Sequence, residues 1–272
     1  MRSLLHTEWL KMRKYPAFWW IMGLTALSYP GINFIFYQVY SEITQNTTQA
    51  GQLARLALGN PFAFPEAWHT VAFFSSLFVF IPAVMVIMFI TNEYSYRTHR
   101  QNIIDGWSRD QFIASKMTDV LLIAGMITVL YATIALITGW VTHDRLLRDT
   151  WGQSYYIGLF ALQTFSQLSI AFLIGFLIRK AFLALGVFLF WFIILEPILV
   201  ALLRNYGNDQ GRYLPIEMSD RLIPIPAFLG KLDESGYRQA LERIPQQVVY
   251  TLLLTALIWL LCFRLNRRRD LV

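Results

Sequence analysis

Apolar residues in this chain come in long blocks separated by polar connections. Six blocks, at about 17–40, 70–91, 117–142, 152–178, 181–203 and 245–264, are each mostly apolar over roughly 20 residues or more. A helix rises about 1.5 Å per residue, so about 20 apolar residues cross the hydrocarbon core of a bilayer. The pattern predicts an all-α polytopic membrane protein, a single transmembrane domain over 1–272 with six spanning helices. Three polar segments are more than reversals: the start at 1–16, the connection at 92–116, and the stretch 204–244.

In the first of these, Leu5, Trp9 and Met12 recur at helical spacing while Glu8, Lys11 and Lys14 share another side. That is the pattern of an amphipathic helix lying in the membrane interface, its basic groups reaching anionic lipid. Pro16 then permits a sharp turn into the first span. A plain positive-inside anchor, or a short helix touching a partner, would use the same residues. The basic start, apolar stretch and Ala26-Leu27-Ser28 also resemble a secretory signal. The apolar run continues through Phe34-Ile35-Phe36, however, which favours an uncleaved first span.

The connection 92–116 has no Pro or Gly from Tyr94 to Ile104 and is predicted to be helical there, with Gly106 placed to end the helix in a left-handed conformation. Ser108 with Gln111 three residues on is a capping box opening the next helix, which runs into the third span. Arg97, Arg100 and Ile104 are expected along one side of the short helix, offering cationic and apolar groups together. A rigid docking element for a soluble protein accounts for this better than a turn does. The alternative is a solvated basic loop that only enforces topology.

The stretch 204–244 is too short for a domain and too long for a turn. It contains Pro215, Pro224 and Pro226, and its apolar part from Ile223 to Leu229 is broken by proline. Short re-entrant or interfacial helices between spans 5 and 6 fit, and an extended surface loop is the alternative.

Charge gives orientation. With the N-terminus in the cytoplasm, the inner segments hold fourteen of the 23 Lys and Arg against six acids, and the outer segments nine against ten. This positive-inside bias puts both termini in the cytoplasm of a multi-pass cell-membrane protein, for a bacterium the inner membrane. Trp68, Trp140 and Trp151 fall at predicted outer interfaces, Trp9 and Trp107 at inner ones. A composition 56% hydrophobic and 15% charged fits no ordinary soluble domain. The net charge of +6 gathers at span ends rather than on a stripe with interleaved aromatics, so nucleic acid is not an expected partner. One cysteine, Cys262, excludes an intramolecular disulfide.

The parts of a membrane enzyme are missing. His6, His69, His99 and His143 stand at no metal-binding spacing, there is no G-x-S-x-G elbow, and no phosphate loop G-x-x-x-x-G-K-[ST]. No metal site and no bound cofactor are expected. Glu196, followed by Pro197, is the one acid well inside a predicted span. It would line a substrate path or an interface between subunits, or pair with a polar neighbour where Pro197 loosens the helix. Asn33, and Gln163 with Gln167 one turn apart, are further candidates for that path or interface, and helix-packing hydrogen bonds explain them equally well.

Glu93, Arg97-Thr98, Arg100, Ile103-Ile104, Ser108-Arg109 and Lys116 together resemble the inner loop of ABC-2 type transporter permeases. In that family an acidic residue ends the second span, an R/G-T-x-R-like segment forms a coupling helix, and an S-R pair leads to a lysine starting the third span. The likeness covers the whole chain, from the N-terminal helix to the long outer segment before the last span. Asp105-Gly106-Trp107 departs from the Pro-containing turn of many members. The resemblance implies a non-catalytic permease subunit of an ATP-binding-cassette exporter. It implies pairing with a second permease copy, as homodimer or heterodimer, over two ABC ATPase subunits that hold ATP and Mg. Glu93, Arg97, Thr98, Arg100, Ile103, Ile104 and Arg109 are then the expected ATPase-docking residues. A complex doing mechanical or signalling work, and a carrier or scaffold not driven by ATP, are the alternatives.

Overall fold

The computed structural model describes residues 2–45, 59–104, 106–142, 149–205, 209–230 and 233–268, with backbone alone for 2–7, 45, 100 and 205. Asp105, His143, Lys231, Arg269 and Asp270, and the side chains of Arg2, Leu5, His6 and Arg100, lie outside the described residues.

Every regular element among the described residues is helical. In chain order these are α1 (Arg2–Lys14), α2 (Pro16–Gln45), α3 (Ala67–Ser76), α4 (Phe80–Ser95), α5 (Thr98–Ile104), α6 (Arg109–Val141), α7 (Tyr156–Ile178) and α8 (Ala181–Leu189). A π-helical turn (Phe190–Leu195) joins α8 to α9 (Glu196–Asn205). A 3₁₀ turn (Asp209–Tyr213), α10 (Pro215–Asp220), α11 (Ala227–Gly230) and α12 (Glu234–Arg268) complete the chain. Four rods are long and apolar enough to cross a membrane: α6, α7, the α8–π–α9 rod over Ala181–Arg204, and α12. The bent pair α3–α4 makes up to five. The remaining expected crossing, α2, is long enough at 30 residues, but Trp, Tyr, Pro and Asn dilute its apolarity.

Proline explains most departures from the expected spans. The second span is two helices meeting at 49°, not one. Pro82 has no N–H for the carbonyl of Phe78 and its ring crowds that carbonyl, so the chain tightens there: Phe78, Val79 and Ile81 each donate to the carbonyl three residues back. Pro197 acts on the α8–π–α9 rod in the opposite sense, since the turn before it widens and Glu196 N bonds the carbonyl of Trp191, five residues back. The last helix starts at Glu234 and continues through Pro245, eleven residues before the expected boundary. Pro16 does open α2, where its missing N–H costs nothing.

At the centre is α7. It packs on α3, α4, α6, α8, α10 and α12, so Gln163, Thr164, Ser166, Gln167 and Ser169 face protein and not lipid. Gly175 sets its approach to α4, because a Cβ there would meet Ile90 Cγ2 at 2.6 Å and Ile87 Cα at 3.4 Å. Gly175→Val is therefore expected to destabilise the bundle by about 1–3 kcal/mol. Thermal unfolding in detergent measures this, and Ile90→Ala in the same chain should recover part of the loss. Trp68, expected at an interface, is fully buried: it stacks on Trp151 and donates Nε1–H to Thr150 O at 2.8 Å.

Candidate functional site

The segment 92–116 turns twice. At the end of α4, Arg97 adopts a left-handed backbone with φ 57°. The Glu93 carbonyl released by this break accepts from the Thr98 hydroxyl at 3.4 Å and from His99 Nδ1 at 3.1 Å. The expected continuous helix from Tyr94 is thus corrected: α5 begins at Thr98, and Arg97 lies in the link before it, not on the helical side with Arg100 and Ile104. Gly106, φ 95°, makes the second turn as expected. Ser108 Oγ accepts from Gln111 N at 3.1 Å and Gln111 Oε1 from Ser108 N at 2.8 Å, the full capping box.

What holds this element is buried charge. Lys116, on the second turn of α6, is 5% exposed and donates to Glu8 Oε2 at 2.5 Å, Glu93 Oε1 at 2.6 Å and Asp119 Oδ2 at 3.4 Å. Lys11 adds contacts of 2.9 Å to Glu8 and 3.5 Å to Glu93, and stands 5.7 Å over the Trp107 ring. Burial would raise the Glu8 carboxyl, but the Lys116 ammonium, helped by Lys11, overrides it and holds the group down to about 2. One ammonium thereby fastens α1, the end of α4 and the start of α6 to a single point. This corrects the expected division of faces on α1. Its buried side carries Glu8 and Met12, at 2% and 1% exposure, while Trp9 is 36% exposed. Lys14 faces outward as expected.

A second clamp ties the start of α6 to the end of α12. Arg109 Nη1 donates to the Arg267 carbonyl at 2.8 Å, Asn266 Nδ2 to the Arg109 carbonyl at 2.8 Å, and Arg267 makes a two-pronged pair with Asp110 at 2.8 and 2.7 Å. Glu93 and Arg109 thus face inward and brace the element. Its outer face has Arg97 exposed, Thr98 and Ile103 half-buried, and Ile104 83% exposed.

At the other end of the bundle three further candidates, Gln163, Gln167 and Glu196, converge on α10. Gln163 and Gln167 both donate to Asp220 Oδ1, at 2.8 and 2.7 Å, and Gln167 also to Ser219 Oγ at 3.1 Å. Glu196, 2% exposed, accepts the backbone N–H groups of Ile216 at 2.6 Å and Glu217 at 2.8 Å on one oxygen and Trp191 Nε1–H on the other. Thr251 donates to Met218 O at 3.2 Å, and His69 Nε2 to Pro224 O at 2.7 Å. Beside this knot lies a cavity of about 510 Å³, with Phe192, Glu196, Pro197, Val200, Glu217 and Asp220 among its lining residues. Asn33 stands apart, bonded to Tyr29 O at 2.8 Å and Ser75 Oγ at 3.2 Å between α2 and α3.

Glu8, Asp119, Asp220 and His69 were not legible as site residues. The one available signal was that Asp119 follows Lys116 at one helical turn. No curated protein matches the chain significantly. The family described as ABC-2 family transporter protein matches residues 4–195, from the first turn of α1 to the π-helical turn before Glu196, which is more than half of the sequence. Its members are membrane components of ABC transporters, and the several apolar helices agree with that. This chain belongs to the ABC-2 family of transporter proteins.

Proposed function

We propose that the chain is the permease subunit of an ABC exporter with six spans and both termini in the cytoplasm. Two copies of it, or it and a related chain, sit over two ATPase subunits that hold ATP and Mg. ATP-driven closure of those subunits pushes on α5, and the clamps at Lys116 and Arg109 pass the push to α1, α4, α6 and α12. The spans then reorient by alternating access and release a hydrophobic or amphipathic cargo, such as a lipid, drug or peptide, outward.

The observation that carries this reading is Ile104. A large apolar side chain 83% exposed at the tip of a helix braced on both sides is placed to be covered by a partner. The reading as a carrier loses support at Glu196, whose two oxygens are already occupied by N–H donors. A complex using the same coupling for mechanical or signalling work would share every contact described and differ in moving no cargo.

Gentle purification from the native membrane is expected to bring down a stoichiometric soluble chain with a phosphate loop. Ile104→Asp is expected to leave the permease folded and inserted while weakening that association about tenfold or more, the effect of losing one central apolar anchor. Arg97→Glu with Arg100→Glu should leave the complex inserted but its ATP hydrolysis uncoupled. An ATPase that stays bound and coupled in both variants would remove α5 as the docking element.

A further inference from the structure

Between α1, the end of α4 and α6 lies a cavity of about 150 Å³, with Tyr96 and Thr98, where α5 begins, among its lining residues. Glu8, Lys11, Glu93, Lys116 and Asp119 line it too, three carboxylates against two ammonium groups. Lys116 has three N–H donors and spends one on each carboxylate. Lys11 reaches only the Glu8 and Glu93 oxygens nearest to it. Asn92 is turned away to the Tyr15 hydroxyl at 2.8 Å, and Thr98 and His99 are engaged on the Glu93 main chain. Two oxygens are left with no donor, Glu93 Oε2 and Asp119 Oδ1, on residues only 7% and 6% exposed. A buried carboxylate oxygen without a donor is costly, so the site is built for one more.

The chemistry of that donor is narrowly limited. A metal ion does not suit the site, because Lys116 Nζ already bonds all three carboxylates; among the described residues no acid, His or Cys cluster could hold one. A proton shared by Glu8 and Asp119 would balance the charge but leave Glu93 Oε2 unfilled. A guanidinium or ammonium group supplies both the positive charge and the directed N–H groups. Tyr96, 76% exposed, marks the cavity's side toward the docking element rather than the bundle interior.

We infer that this cavity is a receptor for one cationic side chain, an arginine or lysine, of the docked ATPase. The inference rests on the proposed coupling role of α5 and adds a second anchor to it: an apolar contact at Ile104 and a buried ion pair at Glu93 and Asp119. Lys11 lines the cavity as a like charge, so the incoming group must be a single one, delivered on a positioned side chain.

The test uses the full chain with Cys262→Ser and one new cysteine, Thr98→Cys, or Tyr96→Cys should the first variant label poorly. Its reaction is timed with a cationic aminoethyl and an anionic sulfonatoethyl methanethiosulfonate, each normalised to its rate with a free thiol. In the permease stripped of its ATPase, the cationic reagent is expected to react at least about tenfold faster, as a net negative cleft concentrates counter-ions. Glu93→Gln should erase most of that preference. With the ATPase bound, the cationic rate should fall by a similar factor. Equal rates for the two reagents would show a proton-balanced cavity and overturn the receptor. A cation preference indifferent to bound ATPase would overturn the partner assignment and leave a lipid amine as the occupant. If no ATPase copurifies at all, the functional reading and the partner assignment fall together, while the charge preference still decides whether the cavity takes a cation.

Discussion

Lys116→Met is expected to be the most damaging single substitution at the α5 end of the molecule. The methionine fills nearly the same volume, so packing is conserved and the effect isolates the charge. Three carboxylates from three elements, Glu8, Glu93 and Asp119, lose their shared donor while remaining largely buried. Breaking a buried ion pair from one side costs about 3–5 kcal/mol, because the uncompensated partners stay out of water. For a chain of this size that corresponds to a fall in Tm on the order of 10 °C in detergent. The quadruple variant with Glu8→Gln, Glu93→Gln and Asp119→Asn removes the stranded charges as well and should recover most of the loss, a non-additivity that residues in one network require. If Lys116→Met alone unfolds within a degree or two of the parent chain, the ammonium is not what fastens α1 and α4 to α6.

The contrast between these residues and their neighbours shows where a sequence is transparent. The capping box at Ser108 and Gln111, the left-handed Gly106 and the helix start at Pro16 are all local: each is specified within four residues, and each is found in place. The long apolar blocks are legible for the same reason, since length and apolarity belong to the block itself. Glu8 is the opposite case. Between a tryptophan and basic residues on a short amphipathic helix it reads as a solvated acid, and nothing nearby says that its partner is Lys116, 108 positions away. The break at Arg97 lies between these extremes. No Gly or Pro marks it, yet Thr98 and His99 supply the side-chain donors that satisfy the carbonyl it exposes, a signal that only geometry makes readable. Gln163 and Gln167 were legible as one face of a helix, while the carboxylate they share, Asp220, lies beyond the whole α8–π–α9 rod.

Glu196→Ala is expected to loosen the α10 end of the bundle without disturbing the rest. The carboxylate belongs to a rod whose π-helical turn and Pro197 already interrupt its ladder, and it spends its acceptors on the first backbone N–H groups of α10, which have no intrahelical partner of their own. Truncation leaves the N–H groups of Ile216 and Glu217 and the indole N–H of Trp191 without an acceptor. At about 1–3 kcal/mol for each donor that stays buried, the loss exceeds what a six-residue helix can bear from its own hydrogen bonds. Hydrogen–deuterium exchange should therefore rise by about tenfold or more across 215–220, each 1.4 kcal/mol of lost local stability being tenfold in the opening equilibrium. Exchange in α6 and in the C-terminal half of α12 should stay as in the parent. Glu196→Gln keeps one carbonyl to receive the two backbone donors and should show a smaller rise. Asp220→Asn removes only the charge that Gln163 and Gln167 share, so it should affect the same segment more weakly than Glu196→Ala. A uniform increase over the whole chain would mean that Glu196 supports the bundle as such. Unchanged exchange at 215–220 would mean that Thr251, His69 and the two glutamines hold this segment without it.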